Sequence, residues 1–267
     1  GFCSAALPQL CQPFMRKITG GDFQAIGHFN MFGYALSGLL GNFFKKHVDD
    51  TTENIKFPKA LSFFKDFLMG FAFVMLILFY IAAIAAGKPA VMKISGGVDW
   101  LVFPLVQALT CTAGISVLMT GVRMFLAEIT AAFNAFAEKF IPGSRPALDV
   151  PTIFPFAPTA VLVGFLSSYA AGLIGVGIMI AFHFDMVIIP AAHICFFSGG
   201  TAAIFGNSTG GWRGAVFGSF IVGLLLVFLP VLLYPAISSM GVSTAMFPNV
   251  DYNVVGSLLN SILGLFH

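Results

Sequence analysis

Residues 141–165, IPGSRPALDVPTIFPFAPTAVLVGF, combine a cluster of prolines with a long apolar run. Pro151, Pro155 and Pro158 each lack a backbone N–H and disfavour helix in the residue before them, so about ten residues cannot form an uninterrupted helix. The segment is nevertheless as apolar as a membrane span. At membrane depth, non-helical backbone is tolerated only where it is buried in protein or lines a watery cavity.

A single carboxylate, Asp149, lies at the start of this proline-broken stretch. An ionisable side chain beside irregular backbone at membrane depth predicts a substrate site or an ion site. Two simpler interpretations remain open on the sequence alone. The segment can be an interfacial loop with a solvated carboxylate, or Asp149 can form an ion pair with Arg145, four residues earlier.

Composition places the chain among all-α integral membrane proteins. Of its 267 residues, 58% are hydrophobic and only 9% are charged, whereas a soluble domain carries about 25% charged residues. The net charge of +2 does not indicate nucleic-acid binding, and the spacing of the cysteines and histidines predicts neither a metal site nor a cofactor. Apolar runs long enough to cross a bilayer predict four membrane spans, at residues 67–86, 101–119, 159–182 and 215–237.

Two further segments are apolar but interrupted by small residues. Residues 23–44 contain four glycines together with His28 and Asn30, and residues 186–211 contain Pro190 and a stretch rich in Gly, Ser and Thr. Such segments are typical of re-entrant hairpins, whose backbone lines a cavity inside a transporter. We therefore predict one re-entrant hairpin in each.

Charged segments predict the orientation of the chain in the membrane. Residues 45–65 hold five lysines and are interpreted as a cytoplasmic loop, because basic residues concentrate on that side. Residues 120–140 carry phenylalanines at helical spacing together with Arg123 and Glu128. This pattern predicts an amphipathic helix along the membrane surface.

Four blocks of sequence carry a resemblance to a known family. Residues 19–32 (TGGDFQAIGHFNMF), 121–143 (GVRMFLAEITAAFNAFAEKFIPG), the Asp149 stretch through PFAPTAVLVGF, and 188–215 (IIPAAHICFFSGGTAAIFGNSTGGWRGA) resemble the ascorbate-type (UlaA/SgaT) membrane component IIC of the bacterial phosphoenolpyruvate-dependent phosphotransferase system. The resemblance covers nearly the whole chain in the same order. Full members extend further at both ends, so the chain looks like their C-terminal portion.

The resemblance implies a homodimeric permease of the inverted-repeat type, embedded in lipid in the bacterial inner membrane. It implies a sugar or sugar acid as substrate, with transport coupled to phosphorylation. The phosphoryl donor is a phosphocysteine on the separate IIB subunit, which is itself phosphorylated by IIA. By this resemblance the permease is a non-catalytic subunit, because the residue that donates the phosphoryl group lies on IIB. No cofactor is expected.

The resemblance also carries specific residues. His28 matches the family's Gly-His, and Asp149 matches an acidic position before Phe-Ala-Pro. The resemblance implies Gln after the histidine, where this chain has Phe29, so a polyol or another sugar acid is an alternative substrate to ascorbate. We predict substrate contacts at His28, Phe29, Asn30, Asp149 and Thr159. Asp149 is also the predicted general base that takes the proton of the attacking hydroxyl.

Other functions are compatible with the same residues. His28 can be a core histidine with satisfied hydrogen bonds. An ion-coupled secondary transporter would use the same broken-helix architecture, with Asp149 as a proton site. A membrane-embedded enzyme is disfavoured, because no nucleophile, base and orienting group occur together in the sequence.

Overall fold

The computed structural model describes residues 5–22, 24–55, 66–239, 241 and 249–264. The chain forms two compact units. One comprises Gly1–Ile55 and Phe133–His267, and the other comprises Lys56–Ala132. The first unit contains every residue predicted to contact substrate.

Helices dominate the regular structure of the described residues. The α-helices are α1 (Pro8–Thr19), α2 (Met31–Gly41), α3 (Phe67–Ala86), α4 (Lys88–Ile94), α5 (Val102–Phe140), α6 (Pro158–Ala181), α7 (Gly200–Ser239) and α8 (Val250–Leu263). Short 3-10 helices occur at Asn42–His47, Thr52–Asn54, Val150–Thr152 and Phe154–Phe156, and an α-helical turn (Ala192–Ile194) and a π-helix (Cys195–Gly199) lead directly into α7. Two-residue strands, β1 (Ala25–Ile26) and β2 (Ala147–Leu148), complete the described elements.

Within the described ranges, four helices are long and apolar enough to cross a membrane. They are Leu68–Ala86, Val102–Phe140, Pro158–Ala181 and Ala192–Ser239. The predicted all-α membrane class is therefore confirmed. Each of the four predicted spans overlaps one of these helices, although their depth in a bilayer remains a prediction.

The last of these helices is a hairpin. Gly210 (φ −142°, ψ 17°) and Gly211 (φ 60°, ψ −156°) leave the helical conformation. A Cβ placed on Gly206 would collide with the carbonyl oxygen of Gly214, and the reverse also holds. Residues eight apart in a straight helix are about 12 Å apart. The chain therefore reverses at residues 210–211, and the two arms run antiparallel.

Helix α2 packs against both arms of this hairpin. The Ser37 hydroxyl donates to the carbonyl oxygen of Ala202 on the first arm at 2.5 Å. On the second arm, a Cβ at Gly218 would overlap the Ser37 side chain. The Thr209 hydroxyl, next to the turn, donates to Gly38 O at 2.8 Å. Glycines and small polar residues let the three helical segments approach closely, as in other packed membrane helices.

A parallel strand pair, which we call the β clasp, joins two distant parts of the first unit. Ala25 pairs with Ala147 and Ile26 pairs with Leu148. The N–H of Gly27 donates to Leu148 O at 2.8 Å. A Cβ at Gly27 would lie 2.9 Å from the carbonyl oxygen of Ala147, so the close approach requires glycine there.

The two segments predicted as re-entrant hairpins, residues 23–44 and 186–211, contain other local elements than a simple helical hairpin. Within residues 24–44 the structure has strand β1, a loop, the 11-residue helix α2 and the start of a 3-10 helix, while Phe23 lies outside the described residues. Within residues 186–211 the chain is extended before Ala192 and helical afterwards. The reversal occurs only at the end of that range, so the returning arm is the predicted span 215–237. Entry of either segment into the membrane from one side stays a prediction.

Two further predicted segments have altered limits. The span at 101–119 and the amphipathic helix at 120–140 form one helix of 39 residues, about 58 Å long. Because this exceeds a hydrocarbon core of about 30 Å, a position of its second half at the membrane surface stays a prediction. In the predicted cytoplasmic loop 45–65, residues 45–55 form 3-10 turns and loop, and residues 56–65 lie outside the described ones.

The second unit contains α3, α4 and most of α5. Helix α3 begins with a local cap, in which the Asp66 carboxylate accepts a hydrogen bond from Met69 N at 2.9 Å. The Tyr80 hydroxyl donates to Leu101 O at 2.8 Å and ties α3 to the start of α5. Apolar side chains such as Ile77 and Ile84 remain exposed on α3, as expected of a helix that faces lipid.

Candidate functional site

His28 and Asp149 lie together at one end of the β clasp. Each follows its strand by one or two residues, and parallel pairing brings both to the same edge. The distance from His28 Nδ1 to Asp149 Oδ1 is 3.1 Å, across a sequence separation of 121 residues. The Asp149 side chain is 57% exposed and the His28 side chain 25% exposed, so both can reach a ligand.

The surroundings of Asp149 determine which ring nitrogen of His28 carries the proton. The pKa of Asp149 lies below its usual value, chiefly because His28 donates to the carboxylate, with a further hydrogen bond from Val150 N at 2.8 Å. At neutral pH the carboxylate is thus ionised and can only accept hydrogen bonds. Nδ1 of His28 is therefore the donor to this carboxylate, and whenever the ring is neutral its Nε2 carries a lone pair. The pair can accept a hydrogen bond, or a proton, from a substrate hydroxyl.

Arg145 forms its ion pair with Asp22 and not with Asp149. Its Nη2 lies 2.5 Å from Asp22 Oδ2, and Arg16 Nη2 lies 2.9 Å from the same oxygen. The pKa of Asp22 is lowered, first by the hydrogen bond from Arg16. The interpretation of Asp149 as the ion-pair partner of Arg145 is wrong, because Arg145 closes the opposite end of the β clasp.

Phe29 and Asn30 both face the start of α8. The rings of Phe29 and Tyr252 are 4.8 Å apart, centroid to centroid. Asn30 is fully buried, and its Oδ1 accepts a hydrogen bond from Val250 N at 3.1 Å. Substrate contact by either residue stays a prediction, since in this conformation both side chains hold α8 against the start of α2.

Thr159 forms its hydrogen bonds with Glu53 and not with His28 or Asp149. Glu53, in the loop after α2, accepts hydrogen bonds from Thr159 N at 2.9 Å, from the Thr159 hydroxyl at 2.8 Å and from Ala160 N at 3.3 Å. Glu53 therefore caps the start of α6, where a carboxylate satisfies free N–H groups and interacts favourably with the helix dipole. Thr159 can donate its hydroxyl to a substrate only after Glu53 withdraws, so its predicted role is untested.

Asp251 is a buried carboxylate that sequence reasoning missed. It is 2% exposed, and its two oxygens accept hydrogen bonds from Met31 N and Phe32 N, both at 2.9 Å. Burial raises the pKa of Asp251, while the two backbone donors oppose the rise. The sequence does place an acidic residue in the first turn of a short helix, and this pattern predicts a helix cap. It does not show that the carboxylate caps a different helix, α2.

A cavity of about 220 Å³ lies beside the start of α6, and its mixed lining includes the polar residues Lys17, Thr51, Asn207 and Ser208 together with apolar ones. The Asn207 side chain accepts a hydrogen bond from Thr52 N at 3.0 Å, which fixes the loop that carries Glu53. In the part of the chain that the structure describes, no cluster of three or more His, Cys, Asp or Glu side chains could hold a metal ion. The His28–Asp149 pair itself offers hydrogen bonding and proton transfer.

Comparison with known proteins shows similarity to a family model and to a relative of known name. A model of the family described as "PTS system sugar-specific permease component" matches residues 1–251. The ascorbate-specific PTS system EIIC component of Mycoplasma pneumoniae is 29% identical over 240 residues, which are 80% of this chain and 36% of that protein. The chain thus spans about a third of the length of this relative.

Proposed function

Since the chain belongs to the family of phosphotransferase-system (PTS) sugar-specific permease components, we propose that it binds a sugar or sugar acid at the His28–Asp149 pair and translocates it for phosphorylation. Family membership confirms the resemblance found in the sequence. Together with the four long apolar helices, it makes the chain a multi-pass protein of the bacterial plasma membrane.

The observation that supports this proposal is the pairing of two residues 121 positions apart, both of which the sequence predicts to contact substrate. Vicinal hydroxyls of a sugar would donate to the exposed carboxylate of Asp149 and to Nε2 of His28. The substrate class is ascorbate-like, following the name of the Mycoplasma relative. Phe29 adds an apolar ring surface beside this site in place of a hydrogen-bonding amide.

The proposed reaction is phosphoryl transfer from the phosphocysteine of the partner subunit IIB. The substrate hydroxyl oxygen forms the new O–P bond, the P–S bond breaks, and the cysteine leaves as a thiolate. The hydroxyl proton passes to His28 Nε2, and the Asp149 carboxylate stabilises the resulting imidazolium. The sequence-based hypothesis made Asp149 the base. We assign that role to the ring, because the lowered pKa makes the carboxylate a weak base and a good orienting group.

Vesicle uptake tests this function against ion-coupled transport. Membrane vesicles containing the full-length permease receive labelled ascorbate, with or without phosphoenolpyruvate and the cytosolic IIA and IIB proteins. The proposal expects phosphorylated product only with the complete phosphoryl-donor system. Accumulation of unmodified substrate that follows the proton gradient and ignores phosphoenolpyruvate would instead establish a secondary transporter. A homodimer, which the family resemblance implies, is part of the proposal and is checked by the mass of the detergent-solubilised complex.

A further inference from the structure

The starts of α2 and α8 are joined by reciprocal hydrogen bonds, which we call the N-terminal latch. The Asp251 carboxylate from α8 accepts the Met31 and Phe32 N–H groups of α2, each at 2.9 Å. In return, Asn30, which precedes α2, accepts the Val250 N–H of α8 at 3.1 Å. Each helix therefore supplies the capping group that the other helix requires.

The latch is buried, so water cannot replace its hydrogen bonds. Asp251 is 2% exposed and Asn30 is fully buried. The carboxylate lies at the positive ends of two helix dipoles, where a negative charge is stabilised. If Asp251 were lost, two backbone N–H groups would remain unpaired in a buried place, which is costly.

The latch also fixes the backbone that carries His28. On one side, Gly27 N is bonded to Leu148 O in the β clasp, at 2.8 Å. On the other side, Asn30 N donates to the His28 carbonyl oxygen at 2.8 Å, and Asn30 itself belongs to the latch. His28 is thus held between two anchored points only three residues apart.

We infer that Asp251 is a positioning residue that, through the latch, holds His28 against Asp149. This inference deepens the proposed function, because correct placement of the ring matters for proton transfer. Misplacement of a catalytic group by about 1 Å can cost on the order of 100-fold in rate. Asp251 makes no contact with substrate in this assignment.

Two variants weaken the latch in different ways. Asp251→Asn preserves the shape but turns an NH₂ group toward one backbone N–H, so that one hydrogen bond and the charge are lost. Val250→Pro removes the N–H that donates to Asn30 and places the ring Cδ where that hydrogen lay, so Asn30 Oδ1 must move away. Proline is well tolerated at the first position of a helix, and the preceding Asn249 already has the extended conformation that proline prefers (φ −119°, ψ 142°). Asp66→Asn is the matched control, since it alters a capping carboxylate at the start of α3, in the other unit.

The principal readout is the ¹⁵N–¹H spectrum of histidine-labelled, full-length protein in detergent, with His28 assigned from the spectrum of His28→Gln. In the wild type we expect a hydrogen-bonded, slowly exchanging Nδ1–H. Asp251→Asn and Val250→Pro should lose this signal or accelerate its exchange, and should lower the rate of product formation at saturating ascorbate by about tenfold or more. Asp66→Asn should leave the signal unchanged.

The outcomes separate the inference from the proposed function. An unchanged His28 signal in both latch variants, with wild-type melting behaviour, overturns the positioning role. If Asp251→Asn fails to fold, Val250→Pro decides. A wild-type protein that shows the signal but forms no phosphorylated product would contradict the proposed function, while the spectra would still decide the role of Asp251.

Discussion

Helices α2 and α6 begin in the same manner, yet only the start of α2 leaves a predicted ligand residue, His28, accessible. Each receives a carboxylate from a distant segment, Asp251 for α2 and Glu53 for α6. At α2 the carboxylate is buried and bonds only to backbone N–H groups, so that His28 remains free to face Asp149. At α6 the carboxylate is exposed and also takes the hydroxyl of Thr159. A polar residue at a helix start can thus serve a ligand only when the cap does not already occupy it.

The variant with the largest expected effect tests whether phosphoryl transfer depends on the His28–Asp149 pair, before α2, and not on the start of α6. Asp149→Asn keeps the shape of the side chain but removes the charge that orients His28 and stabilises its protonated ring. We expect product formation from phospho-IIB to fall on the order of 100-fold or more, with ascorbate binding largely retained. Thr159→Val, at the start of α6, should have a much smaller effect. Equal losses would show that Thr159 reaches the substrate after Glu53 withdraws.

The next effect concerns stability and separates a buried cap from an exposed one. Asp251→Ala leaves two buried N–H groups unpaired and should destabilise the protein by about 2–4 kcal/mol. Glu53→Ala exposes the start of α6 to solvent and should cost about 0.5–2 kcal/mol. Thermal unfolding in detergent, followed by circular dichroism, measures both. A larger loss for Glu53→Ala would contradict the argument from burial.

The pH dependence of stability should differ in sign between two carboxylates beside the start of α2. The pKa of Asp149 is lowered in the folded protein, so its contribution is present above the ordinary value of 3.8 and is lost as the pH falls through the lower folded value. The pKa of Asp251 is raised, because the cost of burying its charge outweighs the stabilisation by the two backbone donors, so acidification through that higher value relieves this net cost. Relative to wild type, Asp149→Asn should flatten the loss of stability below about pH 4, whereas Asp251→Asn should steepen it. Melting temperatures measured between pH 3 and 7 check both signs, and parallel curves for the two variants would refute the assignment.

The smallest effect concerns which substrate the α2 side prefers. The family resemblance implies glutamine at the position of Phe29, whose ring packs on Tyr252. Phe29→Gln introduces a hydrogen-bonding amide and should improve binding of ascorbate relative to a less polar sugar acid by a few-fold, on the order of 1 kcal/mol. Competition binding with the two ligands measures the ranking, and Tyr252→Leu, which removes the ring contact without adding an amide, is the control. An unchanged ranking would mean that Phe29 serves only to hold α8.

Local patterns were sufficient for the fold class and for two members of the candidate site. The long apolar runs predicted membrane helices because about 20 apolar residues suffice to cross a bilayer. His28 and Asp149 were identified because polar groups in glycine-broken or proline-broken apolar segments are costly unless they have a function. The same reasoning did not locate the chain reversal within α7, at Gly210 and Gly211. Gly210 and Gly211 permit a reversal there, but other glycine-rich positions of the sequence have the same local freedom.

The class of the protein, its family and the separate candidacy of His28 and Asp149 could be inferred from the amino-acid sequence, since short stretches of the chain carry those signals. The folded chain was needed to show that these two side chains meet, that Arg145 pairs with Asp22 rather than with Asp149, and that Glu53 accepts the hydroxyl of Thr159. The physical reason is that every helix start presents the same unpaired N–H groups, so any acidic residue can satisfy them. The partners that do so, 106 residues away for Glu53 and 220 for Asp251, are selected by the packing of the whole unit.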